Sequence, residues 1–341
     1  MQDGYFTLMQ QLAPDLAQEI ELRALVLERI GALQPVGRRQ LAARLNLPER
    51  EVRTVATLLK RHGLITLDAA GMCLTPAAEN ALPMARRFSR ELKGLTRLET
   101  ALAERLCVDK VCVVAGNADT DPHVPGEVGR VAGMRLRGFL QTGFTLAVTG
   151  GSTIREVAFA VPQGTPMNVM VVPARGGMGG ALETQANTLA CEIARRLGGH
   201  HRMMHLPDHL DEQALQEMRK LTEINETLAL LERADVVLHG IGRADDMTQR
   251  RQLPGPVSAE VLRKGAVAEA YGCYFDARGR LVYSASTVAH NLGALKPACA
   301  MIAVAAGAKK AEAIAAVMKN RRHAMLVTDE GAAKAILDEA P

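Results

Sequence analysis

Two sets of residues in this chain have the types and spacing needed to hold phosphate. The first is Arg38, Arg39, Arg50, Arg53, Thr54 and Thr57, spread along what reads as two consecutive helices. Guanidinium groups bond phosphate oxygens in forked pairs and hydroxyls add neutral donors, which suits backbone and base-edge contacts in a major groove. The second is Thr149-Gly150-Gly151-Ser152-Thr153, lying between the apolar run TLAV and a helical pattern. Glycines let the backbone approach an anion closely, while the hydroxyls and the helix N-terminal N–H groups donate to its oxygens. The turn matches neither a Walker A loop nor a G-x-G-x-x-G fingerprint, so nucleotide binding is not implied. A plain strand-to-helix turn would use the same glycines.

Other strand ends carry cations. Arg175 follows VVPA and precedes Gly176-Gly177-Met178-Gly179-Gly180, Lys309-Lys310 follow MIAVAAG, and Arg250-Arg251 come shortly after His239-Gly240-Ile241-Gly242. Any one of them reads as a solvated surface charge, but together they suggest a ligand with two anionic ends. Catalytic chemistry is poorly represented. The carboxylates Glu183, Asp235, Asp245, Asp246, Glu269 and Glu312 form no recognisable acid–base pair by spacing, and no nucleophile-elbow pentapeptide occurs. His200, His201, His205 and His209 cluster, but Pro207 interrupts them and RMMHLP reads as extended, so no metal site is expected. No catalytic residue and no cofactor is expected either.

These residues need elements to position them. From Arg38 to Arg61 seven Lys/Arg stand against two acids, whereas the whole chain carries only +4. Asn46 sits where a left-handed turn residue is wanted, and Pro48 where a second helix begins. Val52, Val55, Leu58 and Leu59 recur at helical spacing and are expected to face inward. LITLDAAGMCLT then gives a hairpin around Asp68–Gly71, the wing of a winged helix-turn-helix over 18–80 with Leu22–Ile30 as its first helix. A basic protein-docking helix is the bland alternative. Residues 81–106 read as one long amphipathic coupling or dimerisation helix striped by Leu92, Leu95, Leu98, Leu102 and Leu106. From 107 to 341 apolar runs (VCVVAG, FTLAVTGG, MNVMVVPA, DVVLHGIG, MIAVAAG, AMLVTDEG) alternate with helical patterns. That texture predicts an α/β domain with a mostly parallel sheet and a ligand site at its carboxyl edge.

The bulk numbers bound the class. A chain of 341 residues allows two domains, and 48% hydrophobic content supplies a substantial core. Aromatics make up 3%, with no Trp, which argues against single-strand stacking platforms. No run approaches the roughly 20 apolar residues that cross a bilayer, and MQDGYFTLMQ has no basic region before an apolar core. Cys73, Cys107, Cys112, Cys191, Cys273 and Cys299 are scattered without a C-x-x-C pair. The expectation is a cytoplasmic protein with reduced, mostly buried thiols.

Ordered strings along the chain carry a resemblance. They are QPVGRRQLAARL, VTGGSTIREVA, VPARGGMG, TQANTLA, HGIGRAD, QRR, AVAEAYGCYF, AGAKKAEAI and VTDEGAAK. From about Leu12 to Leu337 the chain resembles the SorC/DeoR-like family of sugar-sensing transcriptional repressors, in its central glycolytic genes regulator group. Ser152 stands where the family usually has Thr, which keeps the hydroxyl. The resemblance implies an effector domain similar to glucosamine-phosphate deaminase and ribose-phosphate isomerase, with fructose-1,6-bisphosphate as effector. It implies that Thr149–Ser152, Arg175, Arg250, Arg251 and Lys310 hold phosphate, and that Gln185 and Glu269 read sugar hydroxyls. It further implies a homo-oligomer, dimer or tetramer, whose cooperative hold on operator DNA the effector weakens. A sugar-phosphate isomerase or deaminase fused to a DNA-binding unit is the alternative, although fold alone does not imply turnover.

Overall fold

A computed structural model describes residues 11–175, 181–206, 212–284 and 299–338. The expected Gly176–Gly180 loop and His209 lie outside the described residues. The chain divides into two compact units between Thr96 and Arg97.

The first unit has helices Pro14–Leu33, Arg38–Leu45 and Glu49–Arg61, strands β1 (Ile65–Leu67) and β2 (Met72–Leu74), and helix Pro76–Leu92. Asn46 ends the second helix at φ 51 and ψ 41, the left-handed conformation that a short polar side chain tolerates. Pro48 leads into the third helix, and Val52, Val55, Ala56 and Leu59 face inward against Val26, Ile30, Leu41 and Met72. Each of the Val, Leu, Ile and Met side chains among them contributes about 1.5–3 kcal/mol on leaving water. Leu58, expected inside with them, is only half-buried. β1 and β2 form the expected antiparallel hairpin. Its turn is held by Asp68, whose Oδ1 accepts the Ala70 N–H at 2.8 Å.

The expected coupling helix over 81–106 is two helices, Pro76–Leu92 and Leu95–Leu106. Gly94, at φ +66, breaks them apart, and the boundary between units falls just beyond that break. A glycine preserves the leucine spacing while freeing the backbone, so periodicity ran on through a position where the helix stops.

Among the described residues of the second unit seven strands form one sheet, in order β3 (Val111–Val114), β13 (Met325–Asp329), β12 (Ala300–Val304), β7 (Val236–Gly240), β4 (Thr145–Val148), β5 (Met170–Pro173) and β6 (His200–His201). Every pairing in it is parallel. Val111–Val114 and Thr145–Val148 are buried throughout, as a sheet covered on both faces requires. Val128, Leu136, Leu146, Ile154, Leu189 and Ile193 belong to the core packed against it. The chain runs outward one way through β4, β5 and β6, and the other way through β7, β12 and β13. The order therefore reverses between β4 and β7, which opens a crevice at their carboxyl ends.

A second antiparallel sheet, four-stranded among the described residues, was not foreseen from sequence. It runs β11 (Leu281–Ser284), β10 (Cys273–Asp276), β9 (Ala266–Ala270) and β8 (Gly242–Arg243). Because β8 follows directly on β7 and pairs Gly242 with Glu269, it carries β9 to the edge where the crevice opens.

Candidate functional site

In the first unit Arg38, Arg39, Arg50, Arg53, Thr54 and Thr57 are all exposed. Glu49, in the first turn of the third helix, organises two of them. Its carboxylate lies 3.4 Å from Arg39 Nε and 3.2 Å from Arg53 Nη2. The Arg53 guanidinium, and after it Arg39, hold the Glu49 carboxyl below the usual carboxylate range. The Thr54 and Thr57 hydroxyls donate to the Arg50 and Arg53 carbonyls at 3.0 and 2.8 Å. Each would have to turn from its own helix to donate to a phosphate, but can accept where it stands. Sequence reasoning had not singled out Glu49.

At the reversal point of the second unit, the Thr149 N–H donates to the Leu238 carbonyl at 3.0 Å. Its buried hydroxyl accepts the Gly240 N–H at 3.3 Å. Thr149 therefore ties β4 to β7, while Gly151 and Ser152 stay exposed and Thr153 is half-buried. A Cβ on Gly150 would lie 2.6 Å from the Thr184 carbonyl. Gly151, at φ +121, donates its N–H to that same carbonyl at 2.8 Å. Close approach and backbone conformation thus both demand glycine here. Gln185, next to Thr184, precedes helix Ala186–Leu197 and so stands beside the loop. The helix Ser152–Ala160 starts at the loop, and its first N–H groups have no partner within the helix. The edge is suited to receive an anion.

Arg175, two residues past the end of β5, is buried with Glu269 of β9, their charged atoms 3.8 Å apart. Arg251 reaches the same carboxylate oxygen at 2.9 Å, and the Gly272 N–H donates to it at 2.7 Å. Burial pushes the Glu269 carboxyl up, against the pull of Arg175 and of the Gly272 bond. The three side chains hold one another, so a ligand phosphate at either guanidinium would have to compete with Glu269. Arg250 turns the other way and pairs with Asp246 at 2.9 Å. Burial, and then Arg250, push the Lys310 ammonium below its ordinary value, against Asp246, Asp119 and Asp329. An anion near Lys310 and Arg250 would relieve that pressure.

Sequence reasoning missed the residues that hold these loops. Asp329, fully buried at the end of β13, accepts N–H bonds from Ala118 at 2.7 Å and from Gly307 and Ala332 at 3.0 and 3.1 Å. Asp119 accepts the Lys309 N–H at 2.9 Å. The only sequence signal for Asp329 was an acid closing an apolar run before glycine. Among the described residues no cluster has the makings of a metal site, and no helix is long and apolar enough to cross a membrane.

Comparison with known proteins matches both units. The family model for the CggR N-terminal DNA binding domain covers residues 20–87, and the Sugar-bind model, a sugar-binding domain, covers residues 90–338. A central glycolytic genes regulator of Priestia megaterium is 38% identical over 96% of this chain and 96% of its own. The crystal structure of a SorC family transcriptional regulator from Enterococcus faecalis, 34% identical, covers 71% of this chain and 100% of that one with a TM-score of 0.66. The full-length sorbitol operon regulator SorC from Klebsiella pneumoniae, at 18% identity, shares the fold over 89% of this chain and 95% of its own with a TM-score of 0.66. A DNA-binding unit and a sugar-binding unit thus follow one another in a single chain, which belongs to the family of the central glycolytic genes regulators.

Proposed function

We propose that the chain is a transcriptional repressor of glycolytic genes whose hold on its operator is weakened by a sugar bisphosphate, with fructose-1,6-bisphosphate as the expected effector. The observation that carries this reading is the carboxyl edge between β4 and β7. A glycine turn opens a helix there, Gln185 stands beside it, and cations occupy two places, Arg175 with Arg251 and Arg250 with Lys310. Two cationic places suit the two phosphates, and Glu269 and Gln185 would read the hydroxyls between them. That the relatives are central glycolytic genes regulators supports the glycolytic assignment.

On this reading the Glu49–Arg61 helix enters the major groove and Arg38 and Arg39 contact phosphates. The protein works in the cytoplasm as a homo-oligomer, dimer or tetramer, with neither cofactor nor metal. Release of DNA requires that the effector bind the low-affinity arrangement more tightly, typically by 1–3 kcal/mol or about 5–150-fold. The test is thermal unfolding of the purified protein across sugar mono- and bisphosphates, followed by operator titration with any ligand that stabilises it. A selective shift with fructose-1,6-bisphosphate that also lowers operator affinity is expected. A shift confined to a monophosphate would change the metabolite, and turnover of a sugar phosphate would favour the enzyme alternative.

A further inference from the structure

Directly behind the Thr149 loop two histidines meet in the interior. His239, near the end of β7, and His323, in the segment leading into β13, are both fully buried, with their Nε2 atoms 3.0 Å apart. The other nitrogen of each ring faces a main-chain carbonyl. His239 Nδ1 is 3.1 Å from the Gly240 oxygen, and His323 Nδ1 is 2.6 Å from the Arg321 oxygen.

The protons do not add up for two neutral rings. A carbonyl only accepts, so each Nδ1 needs a hydrogen, and a neutral imidazole has one. Both Nε2 atoms would then face each other as bare lone pairs at hydrogen-bond distance. Moving either hydrogen to Nε2 fills that gap and leaves a carbonyl facing a lone pair instead. Three contacts need three protons. One added proton, held between the two Nε2 atoms, satisfies all of them at once.

The surroundings set where that proton is taken up. Burial pushes His239 down to about 3 and His323 to about 4, and the charge of Arg321 adds to the effect on His323. The Tyr271 and His239 rings meet in a T-shaped contact, centroids 5.2 Å apart, and the Tyr271 hydroxyl donates to Asn320 Oδ1. Burial first, and then the charges of Cys273, Arg321 and Glu269, act on the Tyr271 hydroxyl. Asp109 donates its N–H to the His323 carbonyl, and its carboxylate is paired with Arg322. Among the described residues no carboxylate bonds either imidazole. Uptake therefore belongs on the acid side of the ordinary imidazole range.

We propose that His239 and His323 form a binding site for one shared proton, coupled to the Thr149–Ser152 loop through Gly240. The Gly240 carbonyl accepts from His239, and the Gly240 N–H donates to the Thr149 hydroxyl at 3.3 Å. Whatever proton sits on His239 is thus one residue from the loop. The coupling half of the proposal rests on the effector-site reading given above; the proton site does not. By linkage, a ligand that shifts the proton is itself shifted by pH to the same degree.

The test is NMR of the full chain with 15N-labelled histidine, from pH 8 to the acid limit of the fold. One transition in which both Nε2 signals move together and the pair gains a single proton is expected. Two independent transitions, or two rings that stay neutral throughout the folded range, would overturn the site. His323→Gln can offer an amide N–H to His239 Nε2 without a charge, so the shared transition should vanish while the fold, read by circular dichroism, persists. Should that variant not fold, the wild-type titration still decides. For the coupling, fructose-1,6-bisphosphate affinity is compared between wild type and His323→Gln across pH, which cancels the ligand's own titration. Wild-type affinity should change about fivefold more than that of the variant. Equal pH dependence in the two overturns the coupling. Absence of binding at every pH removes the effector reading along with the coupling, and leaves the NMR titration to judge the proton site.

Discussion

Glu49 and Glu269 are each held by two arginines, yet one pairing is made in water and the other in the interior. Glu49 keeps a third of its side chain exposed beside Arg39 and Arg53, whereas Glu269 and Arg175 are each 4% exposed. At the surface, ion pairs are weak and screened by salt, so Arg39 and Arg53 can leave Glu49 for a DNA phosphate at little cost. Inside, no water replaces a lost partner. A ligand reaching Arg175 or Arg251 must bring charge and hydrogen bonds of matching geometry. On the function proposed above, a carboxylate between two arginines would give an adaptable surface in one unit and a selective site in the other.

Glu269→Ala should cut most deeply into that contrast. It leaves Arg175 and Arg251 without their buried counter-charge, so chemical denaturation should show a loss of about 3–5 kcal/mol. A loss no larger than that of a surface substitution would mean that the trio is not holding charge in the interior. Arg175→Ala comes next. It should abolish the effector's thermal stabilisation, about 2.7 kcal/mol at a hundred times the dissociation constant, while operator binding persists. A normal shift would move the phosphate site elsewhere.

Arg53→Ala should weaken operator binding by about 1–3 kcal/mol and leave the effector shift unchanged; unchanged operator affinity would mean another face reads DNA. Smallest in stability is Glu49→Gln. The unfolding midpoint should barely move, while DNA binds more tightly at low salt because two arginines lose a competitor. Glu49 also carries a pH signature. Its carboxyl is depressed in the fold, so its contribution is present above the ordinary value near 4.5 and fades as the pH falls below it. Glu49→Gln should remove that acid-side slope.

The parts legible in the sequence were those whose signal is local. VCVV, TLAV, MVVP and MLVTD are apolar on both faces because the sheet is covered on both sides, and each became a parallel strand. Asn46 and the Asp68 turn announced themselves by residue type. The β8–β11 sheet did not, because AVAEA, CYFD and LVYS become strands by pairing with one another. Gly94 was invisible within a leucine stripe that it does not interrupt. Arg250 and Arg251 looked like one feature and face opposite ways, one to Asp246 and the other to Glu269. His239 and His323 are 84 positions apart, so no spacing rule could join them. Residue types marked which groups could hold an anion, but only the fold brings the carboxyl-edge loops together.

The place of β3 has a consequence for how the chain comes into being. Among the described residues β3 is an edge strand whose neighbour is β13, and the bond from Ala118 to Asp329 that locks the adjoining loop spans 211 positions. Contacts over such separations form late, and parallel pairing is slow because loop closure precedes its reward. The helices and hairpin of residues 14–92 need nothing so distant. On the ribosome, an assembled reader of DNA would therefore emerge well before the domain that could silence it. A chain cut short ahead of Met325 would keep the first and lose the strand on which the sheet of the second depends.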